Sequence, residues 1–265
     1  MNDVKIIKSK NKPIKSNFKI KPPVNKFYIK SRKKVNPSNK IKKIIINIKF
    51  NSNGFKKERL TKKWIENRIK IFNNFTLKSL KKQTNQNFKT LVRYEDKTEK
   101  YVFNALSKYK PLPKNVHFIK ESLYDNEVIK SIKGYKYLYL VRLDSDDMYH
   151  KTYIDKLHNH TPDIYTKALI SQRGFLYDSI NNRLVNYKRK SPPFYTLIYN
   201  TNSYIKGKRY KIPKGHTDVI KLPHKILNRK NFVVVVHSNN TTTKFSGKNI
   251  IKTKKKIKEI LSNYK

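Results

Sequence analysis

Apolar residues along this chain fall into short blocks with two different periods. Ile44-Ile45-Ile46-Asn47-Ile48-Lys49-Phe50, Thr90-Leu91-Val92-Arg93-Tyr94, Val116-His117-Phe118-Ile119 and Tyr137 to Leu143 are runs of branched and aromatic residues, the pattern of buried strands. Between the first two, Trp64, Ile65, Arg68, Ile69, Phe72 and Phe75 recur at three and four residues, which predicts a helix. A polar turn, Gln83 to Phe88, follows it. Further helices are expected over residues 125–133 and around Tyr153 to Leu157. Strands alternating with helices predict an α/β fold built on a largely parallel sheet.

The second half is less regular. Ala168 to Ser171 and Gly174 to Tyr177 read as short strands before a turn at Asp178 to Arg183. Phe194 to Tyr199 and Phe232 to His237 read as two more, and Ile250 to Leu261 has roughly helical spacing. The pattern divides the chain into a segment 1–40, a domain 41–245 and a basic helix or tail 246–265. Residues 1–40 hold 13 Lys and Arg against Asp3 alone, with four scattered prolines, so a disordered basic tail is expected there.

Charge sharpens the picture. The chain carries 63 Lys and Arg against 17 Asp and Glu, a net charge of +46. That excess predicts attraction to polyanions through the basic extensions. The abundance of Lys, Asn and Ile is also what an AT-rich genome, viral or bacterial, would encode. No cysteine is present, which excludes disulfides and thiolate metal sites. No apolar run reaches the roughly 18–20 residues of a membrane span, and a cytoplasmic protein, peripheral to an anionic surface, is expected.

Against so few acids, Asp144, Asp146 and Asp147 within four residues stand out, at the end of the Tyr137 to Leu143 strand. Carboxylates this close repel unless a cation joins them, and oxygen ligands suit Mn²⁺ or Mg²⁺. A strand end is where α/β sheets bind ligands. One of these acids is also expected to cap the following helix.

The order of motifs resembles the GT-A glycosyltransferases, family-2-like, and among them the group named putative rhamnosyl transferases. The residues that carry it are Phe50-Asn51, Trp64 and Arg68, Ser79-Leu80 and Gln83-Thr84 with Asn87-Phe88, a strand ending in Asp96, Arg142 to Asp147, Gly215-His216, and Val235-Val236-His237-Ser238-Asn239-Asn240. Lys49 stands where that group has Arg. The resemblance implies a GT-A, Rossmann-like sheet flanked by helices, a nucleotide-sugar donor and a glycan, polymer or small acceptor. Carried over by position, it implies that Asp96 and Asp144 bind the nucleotide, that Asp146 and His237 hold the metal, and that Asp147 supports them. The strands ending in Asp96 and Asp144 are then expected to be close neighbours facing one cleft. Arg142 either faces the diphosphate or forms a core ion pair. Arg68 is read as a core partner of Glu66 or a motif acid. An inverting transfer needs a base at the acceptor hydroxyl, and Asp218 in Gly215-His216-Thr217-Asp218 is the candidate, while His216, His224 and Asp218 could instead form a zinc site. Two other classes stay open: a basic nucleic-acid-binding or packaging protein, and a metal-dependent nuclease or nucleotidyltransferase.

Overall fold

A computed structural model describes residues 40–52, 57–238 and 243–265. The expected tail, apart from its last residue, lies outside the described residues. In chain order the elements are β1 (Lys40–Lys49), α1 (Lys62–Asn74), α2 (Thr76–Lys82), β2 (Lys89–Tyr94), α3 (Glu99–Leu106), β3 (Val116–Lys120), α4 (Tyr124–Ile132), β4 (Tyr135–Arg142), β5 (Met148–Tyr149) and α5 (Tyr153–Asn159). Then come β6 (Ala168–Ile170), β7 (Arg173–Asp178), β8 (Arg183–Lys188), β9 (Tyr195–Asn200), α6 (Thr201–Ile205), β10 (His224–Ile226), β11 (Lys230–Val236) and α7 (Lys254–Leu261). Among the described residues no helix is long and apolar enough to cross a membrane.

The main sheet has seven strands in the order β10-β6-β9-β4-β1-β2-β3. All run in one direction except β9, which is antiparallel to β4 and to β6. This is the mostly parallel α/β sheet that the alternating pattern predicts. β1 takes the centre because both its faces are apolar. Ile44, Ile46 and Ile48 enter one core cluster while Ile45 enters another on the opposite face. β4 divides likewise, with Tyr139 and Val141 on the first side and Leu138 on the second. β2 and β4 therefore both pair with β1, on opposite sides. The strands leading to Asp96 and Asp144 are one strand apart rather than paired.

Phe232 to Val236 does not join that sheet. β11 belongs to a second, four-stranded sheet in the order β5-β11-β7-β8. Phe232 and Val234 face the first core, and Val233 and Val235 face a third cluster with Ile257 and Leu261 of α7. The C-terminal segment is built into this sheet. Ile251 pairs with Leu184, and the Tyr264 hydroxyl donates to the Lys230 carbonyl at 2.6 Å.

Local chemistry explains several boundaries. Thr61 caps α1, its hydroxyl accepting from the Trp64 N–H at 3.3 Å. The Lys42 ammonium donates to the carbonyls of Leu157 and His158 at 3.1 and 2.7 Å, closing the C-terminus of α5 with positive charge. The N-terminus of α5 departs from expectation. Thr152 is its cap residue and no motif acid reaches it.

His150 makes the fold acid-sensitive. Its ring packs edge-on against Tyr264 at 5.2 Å. Burial first, then Lys156, Lys151 and Arg229, draw its pKa from 6.5 to about 4. As pH falls between those values the unfolded chain binds a proton that the native protein does not, so stability is lost on acidification. Below about 4 this group contributes no further change. Urea unfolding from pH 7 to 4.5 should show that decline, and His150→Gln should flatten it; an unchanged slope in the variant would assign the decline to other groups.

Candidate active site

The Asp cluster sits on the turn that leaves β4. Leu143 is fully buried and anchors the turn, and the Asp147 N–H donates to the Asp144 carbonyl at 3.2 Å. The three carboxylates then take three different directions. Asp144 pairs with Arg142 at 3.2 Å, both about one-third exposed. Asp146 is buried, and its Oδ2 lies 3.1 Å from Arg68 Nη1 and 3.0 Å from His237 Nε2. Asp147 accepts from the Val235 N–H at 2.9 Å.

That last bond positions the site. Asp147 ties the turn to β11 two residues before His237, and His237 consequently meets Asp146 although 91 residues separate them. Burial and the neighbouring Asp146 and Asp144 charges raise the Asp147 carboxyl well above the ordinary range. For Asp146, burial acts in the same upward direction, but Arg68 and His237 outweigh it and hold the carboxyl low. Arg68 completes the group by donating from Nε to Ser145 Oγ at 2.9 Å. Of the two partners expected for Arg68, the motif acid is the one found; Glu66 pairs with Lys108.

On the β9 side of Asp144 lies a cavity of about 330 Å³, lined by Asn47, Lys49, Arg142, Asp144, Tyr195 and His216 among others. Gly215 turns the chain with φ +60°, a conformation open to glycine, and delivers His216 to the wall. Partial desolvation and the Arg142 charge lower the pKa of His216. Partial desolvation together with Arg93 and Arg142 does the same to Lys49. Tyr195 was invisible as a site residue because its apolar run reads only as a strand. Its place beside Arg142 depends on the antiparallel pairing of β9 with β4.

The remaining candidates lie apart from this cavity. Asp96 accepts from the Ser122 N–H at 3.2 Å and from the Ser122 hydroxyl, bonds that hold its carboxyl low. Asp218 is buried, accepting from the Lys214 N–H at 3.0 Å and pairing with Lys221 at 2.9 Å. His224 bonds the Leu222 carbonyl. Among the described residues no group of three His, Asp or Glu is placed to hold a metal, so the expected alternative of a zinc site at His216, His224 and Asp218 is not formed.

Asp146 and His237, the ligands the resemblance implies, are spaced as a divalent ion would need, with Arg68 against both. Ligands at right angles on an ion with bonds of about 2.1 Å would stand about 3.0 Å apart, which is the observed Oδ2 to Nε2 separation. An ion held there by Asp146 and His237 would also take water and phosphate oxygens as ligands.

The profile of a family described as putative rhamnosyl transferase matches residues 54–245. No curated protein sequence matches the chain. Among solved structures, residues 1–349 of S. aureus TarS in complex with UDP are similar at 16% identity and TM-score 0.43, over 74% of this chain and 61% of that one. A second structure of the same TarS fragment gives 15% and 0.42, over 74% and 60%. The 4-diphosphocytidyl-2C-methyl-D-erythritol synthase of Anaerococcus prevotii gives 12% and 0.35, over 84% and 95%. The chain thus spans less than two thirds of either TarS fragment.

Proposed function

The chain belongs to the putative rhamnosyl transferase family, a glycosyltransferase group, and from that premise we propose that it moves a sugar from a nucleotide donor to a glycan, polymer or small acceptor with the help of Mn²⁺ or Mg²⁺. The observation that carries the metal dependence is the Asp146–His237 pair at the carboxyl end of β4. Family membership takes the place of the packaging and nuclease readings.

In this proposal Asp146 and His237 hold the ion. When bound, it supplies charge neutralisation for the departing diphosphate. Asp147 keeps both ligands in register through its bond to β11. Arg142 and Lys49 add positive charge at the cavity edge and face the phosphates. Asp144 orients Arg142 and lies within reach of the ribose. Asp96, which the resemblance implies at the nucleotide, is held by Ser122 and does not line the cavity. For the acceptor's proton, Asp218 is engaged by Lys221 and Lys214. His216 lines the cavity, where burial and the Arg142 charge lower its pKa and so favour the neutral ring, the form that can accept a proton. The proposal therefore moves the base from Asp218 to His216. The +46 charge would hold the enzyme near an anionic acceptor or surface.

Calorimetry with UDP, GDP and dTDP, each with and without Mn²⁺, tests the reading. One of them should bind, with affinity falling at least about tenfold, or 1.4 kcal/mol, when EDTA removes the ion. Binding that is indifferent to EDTA, or none at all, overturns metal-dependent transfer.

A further inference from the structure

We propose that Arg68 is the resident cation of the Asp146–His237 pair, and that a divalent ion and the Arg68 guanidinium exclude one another there. The site then takes its metal tightly only once the donor's diphosphate has offered Arg68 another partner. The proposal rests on the metal-dependent reading above and adds an order of events to it.

The geometry leaves little room for both cations. Arg68 Nη1 lies 3.1 Å from Asp146 Oδ2 and 3.5 Å from His237 Nε2, the two atoms that would ligate the ion. An ion bonded to Oδ2 at about 2.2 Å is at most about 5.3 Å from Nη1, given that 3.1 Å contact. The three side chains are 17%, 10% and 6% exposed, so little water screens one charge from the other. Arg cannot shed its proton to relieve the repulsion; it can only move. Besides Asp146 and His237, one bond to Ser145 Oγ at 2.9 Å and a loose contact over the Trp64 ring at 5.8 Å tie it to the site.

A diphosphate supplies the reason to move. Guanidinium groups bind phosphate oxygens through paired hydrogen bonds, stronger than neutral ones. Nucleotide bound beside Asp144 would draw Arg68 off Asp146 and expose Oδ2 and Nε2 together. Metal and nucleotide affinities would then rise in concert, as linkage requires. The exchange also spares the free protein a buried, unneutralised carboxylate.

Titration of the full-length protein with Mn²⁺, read by electron paramagnetic resonance of the free ion with and without UDP, tests this. Arg68→Gln keeps a donor for Asp146 and Ser145 but no charge. It should bind Mn²⁺ at least tenfold more tightly than wild type without nucleotide, and gain less from UDP. Arg68→Lys restores the charge and should return nucleotide-free Mn²⁺ affinity to within threefold of wild type. Unchanged or weaker Mn²⁺ binding by Arg68→Gln without UDP would overturn the proposal while leaving the metal reading in place. If no protein binds Mn²⁺ with or without UDP, the metal reading fails and the exchange with it.

Discussion

Asp146→Asn should reduce sugar transfer by about a thousandfold or more even at saturating Mn²⁺, and should also melt earlier than wild type. The first effect follows from charge. Asn preserves the shape of Asp146 but cannot neutralise an ion, and transition-state charge stabilisation of this kind is commonly worth 10²–10³ or more. The second follows from the surroundings. Asp146 Oδ2 is shared by Arg68 and His237 in a nearly closed site. Removing its charge leaves the Arg68 guanidinium half-compensated, and breaking a buried pair costs roughly 3 kcal/mol. For a domain of this size that is a fall of about 6–12 °C in melting temperature. The sequence alone suggests a change of activity with the fold untouched; the ion pair with Arg68 is what adds the stability cost. Assays well below the variant's melting point separate the two effects. Transfer close to the wild-type rate there would remove Asp146 from the metal site.

What could be read from the sequence follows what is buried on both faces. β1, β4 and β11 are near-continuous apolar runs because each lies between two layers, so composition alone announces them. α1 is legible because one stripe of Ile65, Ile69 and Phe72 meets the core. The Asp turn is legible because acids are scarce in this chain. α3 gives no clear stripe, since Val102 and Ala105 are its buried residues, Leu106 is half-buried at its end, and Tyr101 and Phe103 are exposed. β8 is short and half polar, an edge strand of the second sheet, and the pattern predicts only the turn at Asp178 to Arg183 that leads into it. No local pattern shows which sheet β11 joins, for its alternation serves either. Nor does one show that Ser122 claims Asp96 or that Lys221 claims Asp218. Those partners arrive through the fold, and a lone acid in a loop carries no trace of them.

A loss of stability as large as that of Asp146→Asn is expected from a residue that touches none of the chemistry, Gly174. It sits in β7 paired with Phe232 of β11, next to the register shift between Lys230 and Phe232. A Cβ added at Gly174 would stand 2.4 Å from the Phe232 carbonyl oxygen and 2.5 Å from its ring. Neither can retreat. The ring is fully buried and stacked on Phe194 at 3.8 Å, with Tyr187 edge-on at 6.1 Å, and the carbonyl belongs to the strand itself. Gly174→Ala must therefore push β7 and β11 apart. Overpacking a closed core costs typically 1–3 kcal/mol and occasionally more, and a clash with backbone belongs at the upper end, so the melting temperature should fall by about 6–12 °C. The displacement also travels along β11. Val235 holds Asp147 at 2.9 Å, and His237 follows directly to hold Asp146 at 3.0 Å. A shift of one ångström there would separate the two proposed ligands. Folded Gly174→Ala protein should accordingly bind Mn²⁺ and UDP more weakly, although the substituted residue is remote from both. A melting temperature within about 2 °C of wild type, with nucleotide binding intact, would mean that the two strands tolerate a wider spacing and that His237 is not held in place by β11.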